Sequence, residues 1–97
     1  MRRWSLLVLK EEDDVATALA DLPEGEAPAL SGDRIEIILL RAPIPLGHKV
    51  ARHAIARGEA IRKYGAPIGE ATADIPAGAH VHVHNLRSLR ARKTGGG

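Results

Sequence analysis

Residues 80–85 read His-Val-His-Val-His-Asn, with an imidazole at every second position. In an extended strand alternate side chains share a face, so His80, His82 and His84 are expected to line one side while Val81 and Val83 pack on the other. Neutral imidazole is a common ligand for iron, manganese and zinc, and such a face could equally meet an anionic substrate. The competing reading is a solvated strand edge. With no Cys in the chain and no acidic residue nearby in sequence, further metal ligands must come from folding or from another chain.

Five more residues carry candidate chemistry. Asn85 can hold a substrate or orient a ligand, although Asn at the end of a strand also suits a turn. His48 and Lys49 follow Gly47 at the start of an expected helix, where backbone N–H groups favour anions. Both side chains could bind a carboxylate or move a proton. Lys63 offers a point charge to a carboxylate or sulfonate, and the Tyr64 ring could either join the chemistry or cover the edge of a small core. His53 faces away from the apolar stripe of the expected helix and reads as a surface residue.

The elements that must position these groups are short. Ninety-seven residues make one small domain that buries a modest core, and a partner chain, a second copy included, would add to it. There is no Phe, and Trp4 and Tyr64 are the only large aromatics, so the core is aliphatic and base stacking on aromatic side chains is excluded as a binding mode. Six of the 14 basic residues lie at the ends (Arg2, Arg3, Arg87, Arg90, Arg92 and Lys93), leaving 8 basic against 12 acidic residues in the body, a balance of −4. This distribution argues against nucleic acid as the partner despite the pI of about 9.4. Residues 1–86 are expected to form the domain and 87–97 a basic, Gly-ended tail. The apolar run after Arg3 is too short for a signal peptide and leads into four acidic residues, so a cytoplasmic chain with no membrane span is expected.

One turn pattern recurs four times: Leu22-Pro-Glu-Gly25, Ile44-Pro-Leu-Gly47, Ile55-Ala-Arg-Gly58 and Ile75-Pro-Ala-Gly78. Each places an aliphatic residue before a β-turn that ends on Gly. Residues 18–25 and 71–78 match in five of eight positions. The second copy is too short between Gly69 and Pro76 for a helix, so strand is expected for 15–22 and 71–75 alike. Further strands are expected at 5–9, 34–40, 60–63 and 79–85. Only 47–57 reads as a helix, with Val50, Ala51, Ala54 and Ile55 on one stripe.

Taken together, Ile44-Pro-Leu-Gly-His-Lys-Val-Ala51, Ile61-Arg-Lys-Tyr-Gly65, Ile68-Gly69, Ala71-Thr72 and His80-Val-His-Val-His-Asn-Leu86 resemble the SAF-type domain of the altronate and galactarate dehydratase family. That family includes the small subunit of sulfolactate sulfo-lyase. The resemblance spans 14–87 and leaves out Trp4 and the tail. It implies a mainly β, β-clip fold, here of short strands with one short helix, that stands before a large catalytic domain or forms a separate small subunit. It also implies β-elimination from a hydroxy acid and a divalent metal, Fe2+ or Mn2+.

Elimination needs a base, an electrophile to hold the developing dianion and help for the leaving group. On this reading His48, Lys49, Lys63 and Tyr64 are the catalytic candidates. Lys49, Lys63 and Asn85 are the substrate contacts, and His82, His84 and His80 the metal ligands. The expected function is a small subunit that is inactive alone. A large catalytic subunit would complete its site to dehydrate a sugar acid to a 2-keto-3-deoxy acid. The alternatives are a sulfolactate sulfo-lyase subunit, releasing pyruvate and sulfite, and a non-catalytic binding or assembly module.

Overall fold

The computed structural model describes residues 4–89. The chain folds as β1 (Leu6–Val8), β2 (Val15–Ala18), β3 (Gly25–Ser31), β4 (Arg34–Leu40), β5 (Lys49–Ala51), β6 (Ala60–Lys63), β7 (Ala66–Ala71), β8 (His80–Val81) and β9 (Leu86–Ser88). Six strands form one sheet in the order β4-β3-β1-β2-β5-β8, and three form a second in the order β6-β7-β9. The first sheet curls until its outer strands approach, and the Arg41 N–H just after β4 donates to the Gly78 carbonyl just before β8 at 3.1 Å. The expectation of a mainly β domain is met. No described helix is long and apolar enough to cross a membrane.

Two aliphatic clusters form the core. Leu6, Val8, Ile38, Leu40, Ile44 and Val50 fill one; Val15, Ala51, Ile55, Ile61, Ile75 and Val81 fill the other. The four recurrent turns explain how short strands reach these clusters. Their leading aliphatic residues pair across the molecule, Leu22 with Ile44 and Ile55 with Ile75, each pair joined by two reciprocal backbone bonds of 2.8–2.9 Å. Asp21 and Asp74, equivalent in the repeated segments, accept the N–H groups of Leu46 (2.8 Å) and Arg57 (2.9 Å) and so fix two of the turns. The strained position falls to Gly25, Gly47, Gly58 and Gly78, all at positive φ.

The expected helix over 47–57 is instead β5 and the turn after it. Val50 enters the first core and Ala51 the second, which is strand alternation, and β5 pairs with β2 and β8 on its two sides. Tertiary ladder bonds outweigh the propensity of a helix too short to stand alone. Residues 79–85 keep only two residues of strand before turning, and Val83, expected to pack, is 79% exposed. Of the strands expected at 15–22 and 71–75, only 15–18 and Ala71 lie in strands; both segments then bend and pair again only as an isolated bridge, at Leu22 and Ile75. Strand β3 was not expected because it contains Pro28 and Gly25. Pro28 lies at the end of the β1 ladder, where its carbonyl accepts the Ser5 N–H at 2.8 Å. Arg87 and Ser88, assigned to the tail, belong to β9; residues 90–97 lie outside the described residues.

Candidate metal centre

Strand β5 pairs antiparallel with β8 in the register Lys49↔Val81 and Val50↔His80. Continued by one residue, this register sets His48 opposite His82, on the face that carries Val50 and His80. The rings of His48 and His82 stack at 4.7 Å, and His80 lies 5.0 Å from His48 and 5.2 Å from His82. One ligand nitrogen from each of the three lies within 4.8 Å of the others. His48 Nδ1 and His80 Nε2 are 2.9 Å apart.

That last distance tests the site for a metal. Two nitrogens bound at a right angle to one ion, each about 2.1 Å from it, are about 3.0 Å apart. The pair therefore needs little rearrangement to take an ion in place of the hydrogen bond. Desolvation, followed by the neighbouring charges of His48, His82, His84 and Lys49, holds the His80 pKa below the usual histidine value. Neutral imidazole, the ligating form, is thereby favoured. An ion held by three imidazoles would keep further coordination positions open.

The turn after β8 directs His82. Its N–H donates to Asn85 Oδ1 at 2.9 Å, and Asn85 Nδ2 donates to the His80 carbonyl at 2.9 Å. Asn85 is 8% exposed, and its amide is engaged within this turn. His84 is exposed; its ring meets His80 at 5.6 Å and stays outside the group of three. The structure brings two of the expected ligands, His80 and His82, together with His48 and leaves His84 outside the group, because the strand ends before His84 can share the face.

Lys49 leaves the other face of β5. Burial, and then repulsion from Lys63, lowers its pKa. Lys63 Nζ lies 5.7 Å from the centre of the Tyr64 ring. Tyr64 is 66% exposed, so it does not cover the core edge. It sits at φ 59° in the turn between β6 and β7. With no helix at 47–57, His48 and Lys49 have no helix terminus beside them to favour an anion. His53 is exposed and pairs with Asp14 at 2.9 Å.

Two polar residues that sequence reasoning passed over hold the frame. Asp13, fully buried, accepts the N–H groups of Lys10, Tyr64 and Gly65 at 2.7–3.1 Å and closes the turn that presents Lys63 and Tyr64. Arg52 donates to both oxygens of Glu36 (3.1 and 2.8 Å) and to the carbonyls of Glu11 (2.9 Å) and Asp13 (2.7 Å). Both lie in charge-rich segments where local pattern does not separate a surface charge from a buried one.

The sequence profile described as the altronate/galactarate dehydratase SAF domain matches residues 4–89. The chain belongs to this family. The match begins at Trp4, wider than the 14–87 covered by the motifs. Altronate dehydratase of Escherichia coli (strain K12) is 49% identical over 76 residues, which cover 78% of this chain and 15% of that protein. The Bacillus subtilis (strain 168) altronate dehydratase is 39% identical over 84 residues, covering 87% and 16%. The (2R)-sulfolactate sulfo-lyase subunit alpha of Paracoccus pantotrophus is 44% identical over 50 residues, covering 52% of this chain and 75% of that subunit. This SAF domain thus spans about one sixth of the length of the altronate dehydratases it matches.

Proposed function

We propose that this SAF domain is the small, metal-binding part of a cytoplasmic lyase that dehydrates a sugar acid of the altronate or galactarate type to a 2-keto-3-deoxy acid. A separate large subunit supplies the rest of the site. The observation that carries the reading is the grouping of His48, His80 and His82, with one nitrogen of each within 4.8 Å. These three residues would hold a divalent ion, Fe2+ or Mn2+. When bound, such an ion polarises the substrate carboxylate and stabilises the charge that develops on proton removal.

The chain's own side chains supply binding and orientation. Asn85 holds the His82 turn, and Lys49, on the other face of β5 yet close enough for its charge to act on His80, stands with Lys63 as positive charge available to a carboxylate. Burial and mutual repulsion ease proton loss from Lys49, which fits proton transfer at its Nζ. Hydroxide needs protonation to leave, and the large subunit would provide that donor and enclose the substrate.

The test is complementation. Escherichia coli altronate dehydratase with its matched segment deleted is mixed with this chain and Fe2+ or Mn2+, and 2-keto acid formation from altronate and galactarate is followed. Keto acid formed only when both chains are present supports the proposal. Full activity of the deleted enzyme alone would reduce this domain to a binding or assembly module. The likeness to sulfo-lyase alpha subunits favours a second reading, with sulfolactate as substrate. Sulfite release in the matching mixture with a sulfo-lyase large subunit, without dehydration of either sugar acid, would select it.

A further inference from the structure

We infer that Asn85 is a positioning residue for the three-histidine centre and not a substrate contact; the inference rests on the metal-binding reading above. The Asn85 amide bridges the turn that separates the two β8-side imidazoles, accepting from the His82 N–H and donating to the His80 carbonyl, both at 2.9 Å. The backbone closes the same turn, with the Asn85 N–H and Leu86 N–H both donating to the His82 carbonyl at 3.0 and 2.9 Å. The Asn85 carbonyl accepts the Thr72 N–H at 2.9 Å, which ties the turn to the end of β7.

Strand β8 pairs with β5 at two positions, and His82 lies beyond the last of them. Its backbone is held there by the Asn85 bridge together with the two N–H groups that close the turn on its carbonyl. The bridge needs one acceptor and one donor on a single short planar group, which only the carboxamide of Asn provides at this length. Aspartate would still accept from the His82 N–H but would set a carboxylate oxygen against the His80 carbonyl. Alanine would leave both backbone groups without the amide. At 8% exposure, with one N–H and one lone pair of its amide engaged inside the turn, Asn85 is largely closed to a substrate.

The experiment uses the full chain with Co2+ as a spectroscopic probe at pH 7.5. Asn85→Asp and Asn85→Ala are compared with wild type by titration and visible absorption, and the metal-free proteins by imidazole NMR. The expected result is a 10- to 100-fold weaker Co2+ affinity, an altered absorption band and loss of the ring-to-ring contact between His48 and His82 in the metal-free variants. Ile38→Val, a core change remote from the turn, should destabilise the fold yet keep the affinity and the band, which separates positioning from general loss of stability.

A folded Asn85→Asp protein with wild-type affinity, band and ring contact overturns the inference. Failure of the wild type to bind Co2+ would sink the metal reading alone, because the ring contact in the metal-free protein still decides whether Asn85 positions the histidines. If both variants unfold, Asn85→Ser, which keeps a hydroxyl for one of the two bonds, decides by the same measurements. It should show an intermediate loss, and wild-type behaviour would again overturn the inference.

Discussion

The two outer strands of the six-stranded sheet make opposite uses of the same kind of backbone. β4 is seven residues long, paired with β3 at every position through the tight Gly32-Asp33 turn. Its side chains alternate: Ile38 and Leu40 lie in the core at 5% and 1% exposure, while Ile37 and Leu39 point outward at 60% and 63%. β8 is two residues long, paired at two positions, and carries His80 and leads into His82. Long regular pairing at β4 leaves nothing for a side-chain amide to do. At β8 the ladder stops early, the backbone turns, and a buried Asn sets the angle at which His82 meets His48. The imidazoles collect where the strand is too short to position its own side chains, and the two edges meet at Gly78.

Substitution at that meeting point has the largest expected effect. Gly78 has φ 83°, and a Cβ there would come 1.8 Å from the Leu39 carbonyl oxygen. Gly78→Ala should therefore cost about 4 kcal/mol or more, combining left-handed strain with a backbone clash. Urea unfolding checks this, and a near-wild-type midpoint would show that the edges do not close as described. Within β4, Leu40→Ala should cost about 3 kcal/mol and the adjacent Leu39→Ala under about 0.5 kcal/mol. Similar losses at both positions would break the alternation.

At the other edge, His80→Ala should weaken Co2+ binding about 100-fold, equivalent to about 2.7 kcal/mol. The unfolding midpoint should change little, and calorimetric titration beside denaturation separates the two. Ile37→Thr should leave Co2+ binding unchanged, so a loss there would join the two edges in one site. A modest effect is expected at the Glu36 and Arg52 pair that braces β4. The Arg52 hydrogen bond holds the Glu36 pKa below the usual carboxylate value. Its stabilisation is full above the unfolded-state pKa and is lost as pH falls through the lower folded-state pKa. Glu36→Gln should remove no more than about 1 kcal/mol near pH 7, since the carboxylate is partly solvated, and should flatten stability between pH 5 and pH 3.

Much of the frame was legible along the chain. The four Gly-ended turns, the two matching segments and the aliphatic strands all follow from local chemistry, because Pro and Gly restrict φ wherever they stand. The helix expected at 47–57 failed because a stripe of four apolar residues fits helical spacing and strand alternation equally well when two cores flank the strand. β3 stayed hidden behind Pro28, whose position at the end of a ladder only the neighbouring strand reveals. Asp13 and Arg52 stayed unread, since Asp13 accepts from Tyr64 and Gly65 and Arg52 reaches the carbonyls of Glu11 and Asp13, about 40 to 50 residues away in sequence.

The sequence by itself singled out His80, His82 and Asn85 as candidates and determined that the core is aliphatic and that the domain is a SAF-type β-structure, because these rest on residue type and short spacing. Only the tertiary structure decided which imidazoles share a site. Pairing of β5 with β8 brings His48 across from His82, and the turn closed by Asn85 takes His84 out of line. No local pattern contains that choice, because it depends on a register between segments about 30 residues apart.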